Sequence, residues 1–193
     1  MDLLIQNVFL GTVFEYLIKN KYNEQRYLTF RCSGSKPFDL LIIKEGYIYI
    51  HLCDLIKEIK PILRVLSTDG YAIIKQAGHN EYLAIKNGTI LLLMVENLID
   101  VRVTNEIREF GIRVINVENI DIDFLNLSTY EKCAIFSIVE CKASGIINKK
   151  QFTNLLKLGK IMGCEILYVL KTGSKAMEHF YTSAGKRLFV AEL

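Results

Sequence analysis

Short apolar segments rich in Ile, Leu, Val and Tyr recur along the chain and limit what it can become. In the first half they run over Tyr27–Cys32, Phe38–Lys44, Tyr47–Cys53, Tyr71–Gln76, Tyr82–Lys86 and Thr89–Val95. Each has the length and the β-branched and aromatic content of a strand. Helical spacing is confined to Asn7–Asn20 and Asp54–Leu66. The second half repeats this, with helices near Thr104–Phe110 and over Lys149–Met162. Its strands fall at Ile112–Val117, Asp123–Leu127, Ala134–Cys141, Glu165–Lys171, Phe180–Thr182 and Arg187–Ala191. The order α-β-β-β-α-β-β-β thus occurs twice, which places the chain in the α/β class.

The ends of the two halves also agree. Glu81 to Gly88 is followed by Val95-Glu-Asn-Leu98, and Glu178 to Gly185 by Val190-Ala-Glu-Leu193. Each Gly suits a hairpin turn that needs positive φ. This reading divides the chain into tandem units, 1–98 and 99–193, with no Gly/Ser-rich linker between them and Pro only at 37 and 61.

The longest apolar run, Ile90–Val95, is far short of a membrane span. The start, Met-Asp-Leu-Leu-Ile-Gln, lacks the basic flank and cleavage site of a signal peptide. The expectation is a soluble, cytoplasmic protein without a membrane partner. Five cysteines, an odd number with no Cys-x-x-Cys pair, and only three histidines argue for buried thiols over disulfides or zinc. The net charge of +3 selects no partner. From Lys142 to Arg187, however, nine Lys or Arg face only Glu165 and Glu178, a bias that suits a polyanion.

Chemistry concentrates at Ile135-Phe-Ser-Ile-Val-Glu140-Cys-Lys142, an apolar strand that turns polar at its end. Side chains alternate along a strand, so Glu140 and Lys142 share a face and Cys141 takes the other. A carboxylate beside an ammonium at a strand end suits metal-dependent hydrolysis. The Glu helps hold Mg²⁺ with a second carboxylate, and the Lys orients water or offsets phosphate charge. Asp123 is the first choice for the second carboxylate, with Asp121 behind it. A bare Glu-x-Lys is also what a surface salt bridge looks like.

Its context resembles a known family. Glu140-Cys-Lys-Ala-Ser144, the segment Gln151–Gly163 and Glu165–Lys171 look like the C-terminal core of archaeal Holliday-junction resolvases, members of the PD-(D/E)xK nuclease superfamily. Gly11-Thr-Val-Phe-Glu15 and Arg31-Cys-Ser-Gly34-Ser-Lys-Pro-Phe-Asp39 look like its N-terminal part, and together these stretches cover about half of the chain. The resemblance implies a restriction-endonuclease-like mixed sheet flanked by helices, Mg²⁺ (with Mn²⁺ as substitute), a branched or other DNA substrate and a homodimer. Arg31, Ser33, Ser35, Lys36, Lys149 and Lys150 become candidate nucleic-acid contacts.

The first half departs from the family pattern, because His51 and Cys53 stand where Glu and Lys belong. Two arrangements follow. In the tandem one, Asp123, Glu140 and Lys142 form the site and the first unit is degenerate. In the other, Glu15 and Asp39 join Glu140 and Lys142, and residues from about Glu45 to Lys132 are an insertion. The tandem is preferred here, since Lys44-Glu-Gly46 reads as an unbroken hairpin. Function is expected to be Mg²⁺-dependent DNA cleavage. The alternatives are a non-catalytic nucleic-acid-binding or assembly protein on a decayed nuclease fold, and a metal-independent RNA endonuclease of the tRNA-splicing type.

Overall fold

The computed structural model describes residues 3–32, 38–77, 80–95, 99–118, 120, 134–142 and 149–170. In chain order the elements are α1 (Leu3–Glu24), β1 (Leu28–Arg31), β2 (Leu40–Glu45), β3 (Tyr47–Cys53), α2 (Ile56–Thr68), β4 (Ala72–Lys75), β5 (Tyr82–Lys86) and β6 (Thr89–Val95). They continue with α3 (Ile99–Glu109), β7 (Arg113–Asn116), β8 (Ala134–Lys142), α4 (Lys149–Met162) and β9 (Glu165–Leu170). The fold is mixed α/β, and among the described residues the strands form two mixed sheets. The expected strands at Asp123–Leu127, Phe180–Thr182 and Arg187–Ala191 lie outside the described residues.

The first sheet has the order β1-β2-β8-β9, antiparallel across its first two pairs and parallel between β8 and β9. The second has the order β4-β5-β6-β3-β7, with β3 parallel to both neighbours. This corrects the tandem division at 98/99, because each sheet takes strands from both halves. β2 pairs with β8, and β7 pairs with β3. Lys44-Glu45-Gly46 is likewise no hairpin but the crossing from one sheet to the other.

The physical reason lies in burial. Leu40 to Ile43 are all fully buried, as are Ile48 to Ile50 to within 2%. A strand apolar on both faces needs partners on both edges and cover above and below. β2 and β3 as partners of each other at a sheet edge would leave that demand unmet, so each becomes an interior strand of its own sheet. The pairing is the one the insertion arrangement requires, with residues 47–116 supplying the whole second sheet.

One apolar cluster joins the sheets, including Phe30, Leu41 and Ile138 from the first, Ile48, Leu83 and Leu92 from the second, and Leu155 and Met162 from α4. On the other face of the first sheet, Phe14 and Ile18 of α1 pack on Leu40, Ile42 and Val139. α2 covers the second sheet's far face through Ile59 and Leu66.

The β5–β6 hairpin turns on Asn87-Gly88, whose φ values of 48° and 83° are those of a two-residue type I′ turn. The glycine at its expected place thus has its expected reason. The same turn completes α4, since the Asn87 and Gly88 N–H groups donate to the Ile161 and Met162 carbonyls at 2.9 and 2.8 Å. Those carbonyls lie in the helix's last turn, where intrahelical donors run out.

Candidate active site

The site is built from the pairing of β2 with β8. The register sets Leu40 against Val139, and the Asp39 N–H donates to the Val139 carbonyl at 2.8 Å. Asp39 at the entry to β2 therefore lies beside Glu140 near the exit of β8. The Cys141 N–H donates to Asp39 Oδ2 at 2.8 Å, which fixes the Asp39 carboxylate against the β8 backbone. Cys141 itself points the other way, into the α1 side of the sheet with Val139, as strand alternation requires.

Glu140 is buried at 3% exposure. Its Oε1 accepts from Lys142 Nζ at 2.5 Å and from Gln151 Nε2 of α4 at 2.6 Å. Gln151 reaches Glu140 because α4 follows β8 and packs back over the sheet. Glu15 of α1 enters from the opposite side and pairs with Arg31 at 2.7 Å. The Arg31 guanidinium also lies over the Tyr16 ring, 5.0 Å from its centre.

Burial is the main cause that raises both acids. Asp39 is pushed up to about 6, with Glu15 adding to the rise and the Cys141 N–H, Lys142 and Arg31 opposing it. Glu140 is pushed up to about 7 by burial and by the Asp39 charge, against the pull of Lys142 and Gln151. Two carboxylates held together and withdrawn from water prefer either a shared proton or a bound cation. The direction fixes a pH dependence. From about pH 4 to about pH 7 the folded, metal-free protein retains protons that the unfolded chain has released, so these groups make stability fall as pH rises through that window. We expect a thermal-melt series in EDTA to show the fall, and millimolar Mg²⁺ to reverse it at pH 8.

The donor set suits such a cation. Asp39 and Glu140 offer hard carboxylate oxygens, and Mg²⁺ is commonly held by one or two carboxylates with waters and substrate phosphate oxygens completing its shell. Among the described residues no three His, Cys, Asp or Glu side chains gather as a closed metal cage.

Of the residues singled out from sequence, the structure brings Glu15, Arg31, Asp39, Glu140 and Lys142 to one end of the first sheet. Lys149 and Lys150 are exposed at the start of α4, the helix that carries Gln151. Asp123, Ser33, Ser35 and Lys36 lie outside the described residues. His51 belongs to the second sheet, where its Nδ1 is 2.8 Å from the Val117 carbonyl. Sequence reasoning missed the Glu15–Arg31 pair and the Cys141 N–H contact. The first joins residues sixteen apart, and the second uses a backbone N–H that any residue at 141 except proline would supply. Comparison of the chain with protein-family models, curated proteins and solved structures gives no match.

Proposed function

We propose that the protein is a metal-dependent endonuclease that hydrolyses DNA phosphodiester bonds at the Asp39–Glu140–Lys142 cluster. The observation that carries this reading is the strand pairing that joins Asp39 to Glu140 across 101 residues of sequence, with Lys142 on the same side. The resemblance to resolvases asks for that set, and the strand order β1-β2-β8-β9, with α1 on one face and α4 on the other, supports the restriction-endonuclease-like fold.

In this reading Asp39 and Glu140 hold Mg²⁺, or Mn²⁺ in its place. The ion supplies charge stabilisation for the phosphate and a more acidic bound water. Lys142, one-quarter exposed, orients the attacking water and offsets charge developing on the phosphate. Gln151 keeps Glu140 turned toward the site, and Arg31 does the same for Glu15. Lys149 and Lys150, exposed at the start of α4, are the candidate contacts for backbone phosphates flanking the scissile bond. A homodimer, which would present two such sites to a branched junction, is supported by the exposed apolar side of α1. Phe9 there is 65% exposed and Leu17 48%, a spread uncommon on a monomer's surface.

The test is incubation of labelled four-way junction, duplex and single-stranded DNA with the protein in Mg²⁺, beside EDTA and Lys142→Ala controls. Cleavage should require the metal, and Lys142→Ala should slow it by about 10² to 10³. Tight binding without cleavage in Mg²⁺ or Mn²⁺ would instead identify a non-catalytic binding protein. Cleavage of the DNA that persists in EDTA would contradict the metal-dependent reading, whereas metal-independent cutting of a labelled RNA would point to chemistry of the tRNA-splicing type.

A further inference from the structure

The lysine excess that begins at Lys142 has a definite place in the fold, because four of those lysines lie on α4. The helix contains no Asp or Glu, and Lys149, Lys150, Lys157 and Lys160 are all exposed. Its buried residues are Leu155, Gly159 and Met162. At about 100° per residue the four lysines fall within roughly 100° of arc, on the side away from those three. They form one ridge about 16 Å long. Gln151, whose Nε2 donates to Glu140 at 2.6 Å, fixes the N-terminal end of the ridge beside the site. The far end lies at the Asn87-Gly88 turn, whose N–H groups complete the helix.

Helix stability does not account for this pattern. Lys149 and Lys150 stand at the positive end of the helix dipole, in a first turn without an acid. Lys157 and Lys160 are like charges three residues apart, and within α4 no acid lies three or four residues from any of the four. Among the described residues, Lys149, Lys157 and Lys160 make no salt bridge. α2 shows the ordinary arrangement. Its exposed Lys57 and Lys60 share the helix with Glu58, whose carboxylate accepts from the Leu55 N–H at the helix start at 3.2 Å. A row of uncompensated ammonium groups is a surface for a polyanion, and its charges gain by releasing the counterions of a phosphate backbone.

We propose that the α4 ridge holds the phosphate backbone of the DNA arm that leads away from the scissile bond, over about five base pairs at roughly 3.4 Å each. This rests on the nuclease reading of the Asp39–Glu140–Lys142 site and adds a requirement to it. Tight binding needs the flank on the α4 side, and Lys157 and Lys160 are the contacts farthest from the cut.

Fluorescence anisotropy of a labelled four-way junction over a salt series, in Ca²⁺ and in EDTA, tests this with the full chain. Wild-type protein is compared with Lys157→Ala/Lys160→Ala, with Lys157→Arg/Lys160→Arg, and with Lys57→Ala/Lys60→Ala on α2 as a control of equal charge. Alanine is the best helix former, so these exposed changes keep the helices intact. The α4 alanine variant should bind at least about tenfold more weakly near about 0.1 M salt, and its slope of log affinity against log salt should be shallower by about 2. The arginine variant and the α2 control should match wild type. Wild-type affinity and slope in the α4 alanine variant, or an equal loss in the α2 control, would overturn the ridge and leave the nuclease reading standing. Absence of junction binding by the wild-type protein under both conditions would remove the nuclease reading and the ridge with it.

Discussion

Asp39→Asn should make the metal-free protein more stable while removing its affinity for Mg²⁺. The amide oxygen can still accept from the Cys141 N–H, so the local geometry is kept. What disappears is a buried negative charge beside Glu140, whose own carboxyl is raised partly by Asp39. We expect a gain of about 1–3 kcal/mol at pH 8 in EDTA. It should shrink as the pH falls from about 6 toward 4, because the wild-type carboxyl takes up its proton over that range. Chemical denaturation at the two pH values measures the gain, and calorimetry with Mg²⁺ measures the loss of binding. A gain in stability at the expense of function is the signature of a residue kept for its chemistry. A loss of stability at pH 8 would mean that Asp39 is simply part of the sheet.

Gly163→Val should destabilise the fold by about 2–4 kcal/mol. Gly163 follows α4 at φ 73°, a conformation that a β-branched residue strongly resists. Its added Cβ would also meet the Asn87 Cα and the Gly88 nitrogen at 3.2 Å, and these are backbone atoms of the turn that completes α4. Strain and collision therefore fall on one joint, the place where the α4 end of the first sheet's unit meets the hairpin of the second sheet. Gly163→Ala should show the same sign at smaller size. Urea unfolding of the three proteins gives the comparison, and equal midpoints would show that the turn and the helix end are not tightly docked.

Local structure was legible in the sequence to a useful degree. The Lys149–Met162 helix has the expected ends, and the strand ending in Glu140-Cys-Lys142 lies within a residue of expectation. The Asn87-Gly88 turn could be read because its conformation needs particular residues. Strand partnership could not be read in the same way. Leu40–Ile43 and Ile48–Ile50 are apolar on every side, so no alternation says which face or edge meets what, and proximity in sequence favoured a hairpin that the fold does not contain. The candidate site shares that weakness. Glu140 and Lys142 announce themselves by spacing, whereas the choice between Asp39 and Asp123 depends on which strand runs beside β8. Only the resemblance to resolvases kept Asp39 and Glu15 in view, and the observed pairing of β2 with β8 is what brings Asp39 to Glu140.

That pairing can be put to a direct functional test by single-turnover cleavage of a labelled four-way junction in Mg²⁺, comparing wild-type protein with Asp39→Asn at saturating enzyme. If Asp39 and Glu140 share the catalytic ion, the variant should still bind the junction but cut it about 10³-fold more slowly, in line with the several kcal/mol a catalytic metal supplies. Cutting by Asp39→Asn at the wild-type rate would contradict the assignment and separate Glu140 and Lys142 from the residue that the fold places beside them.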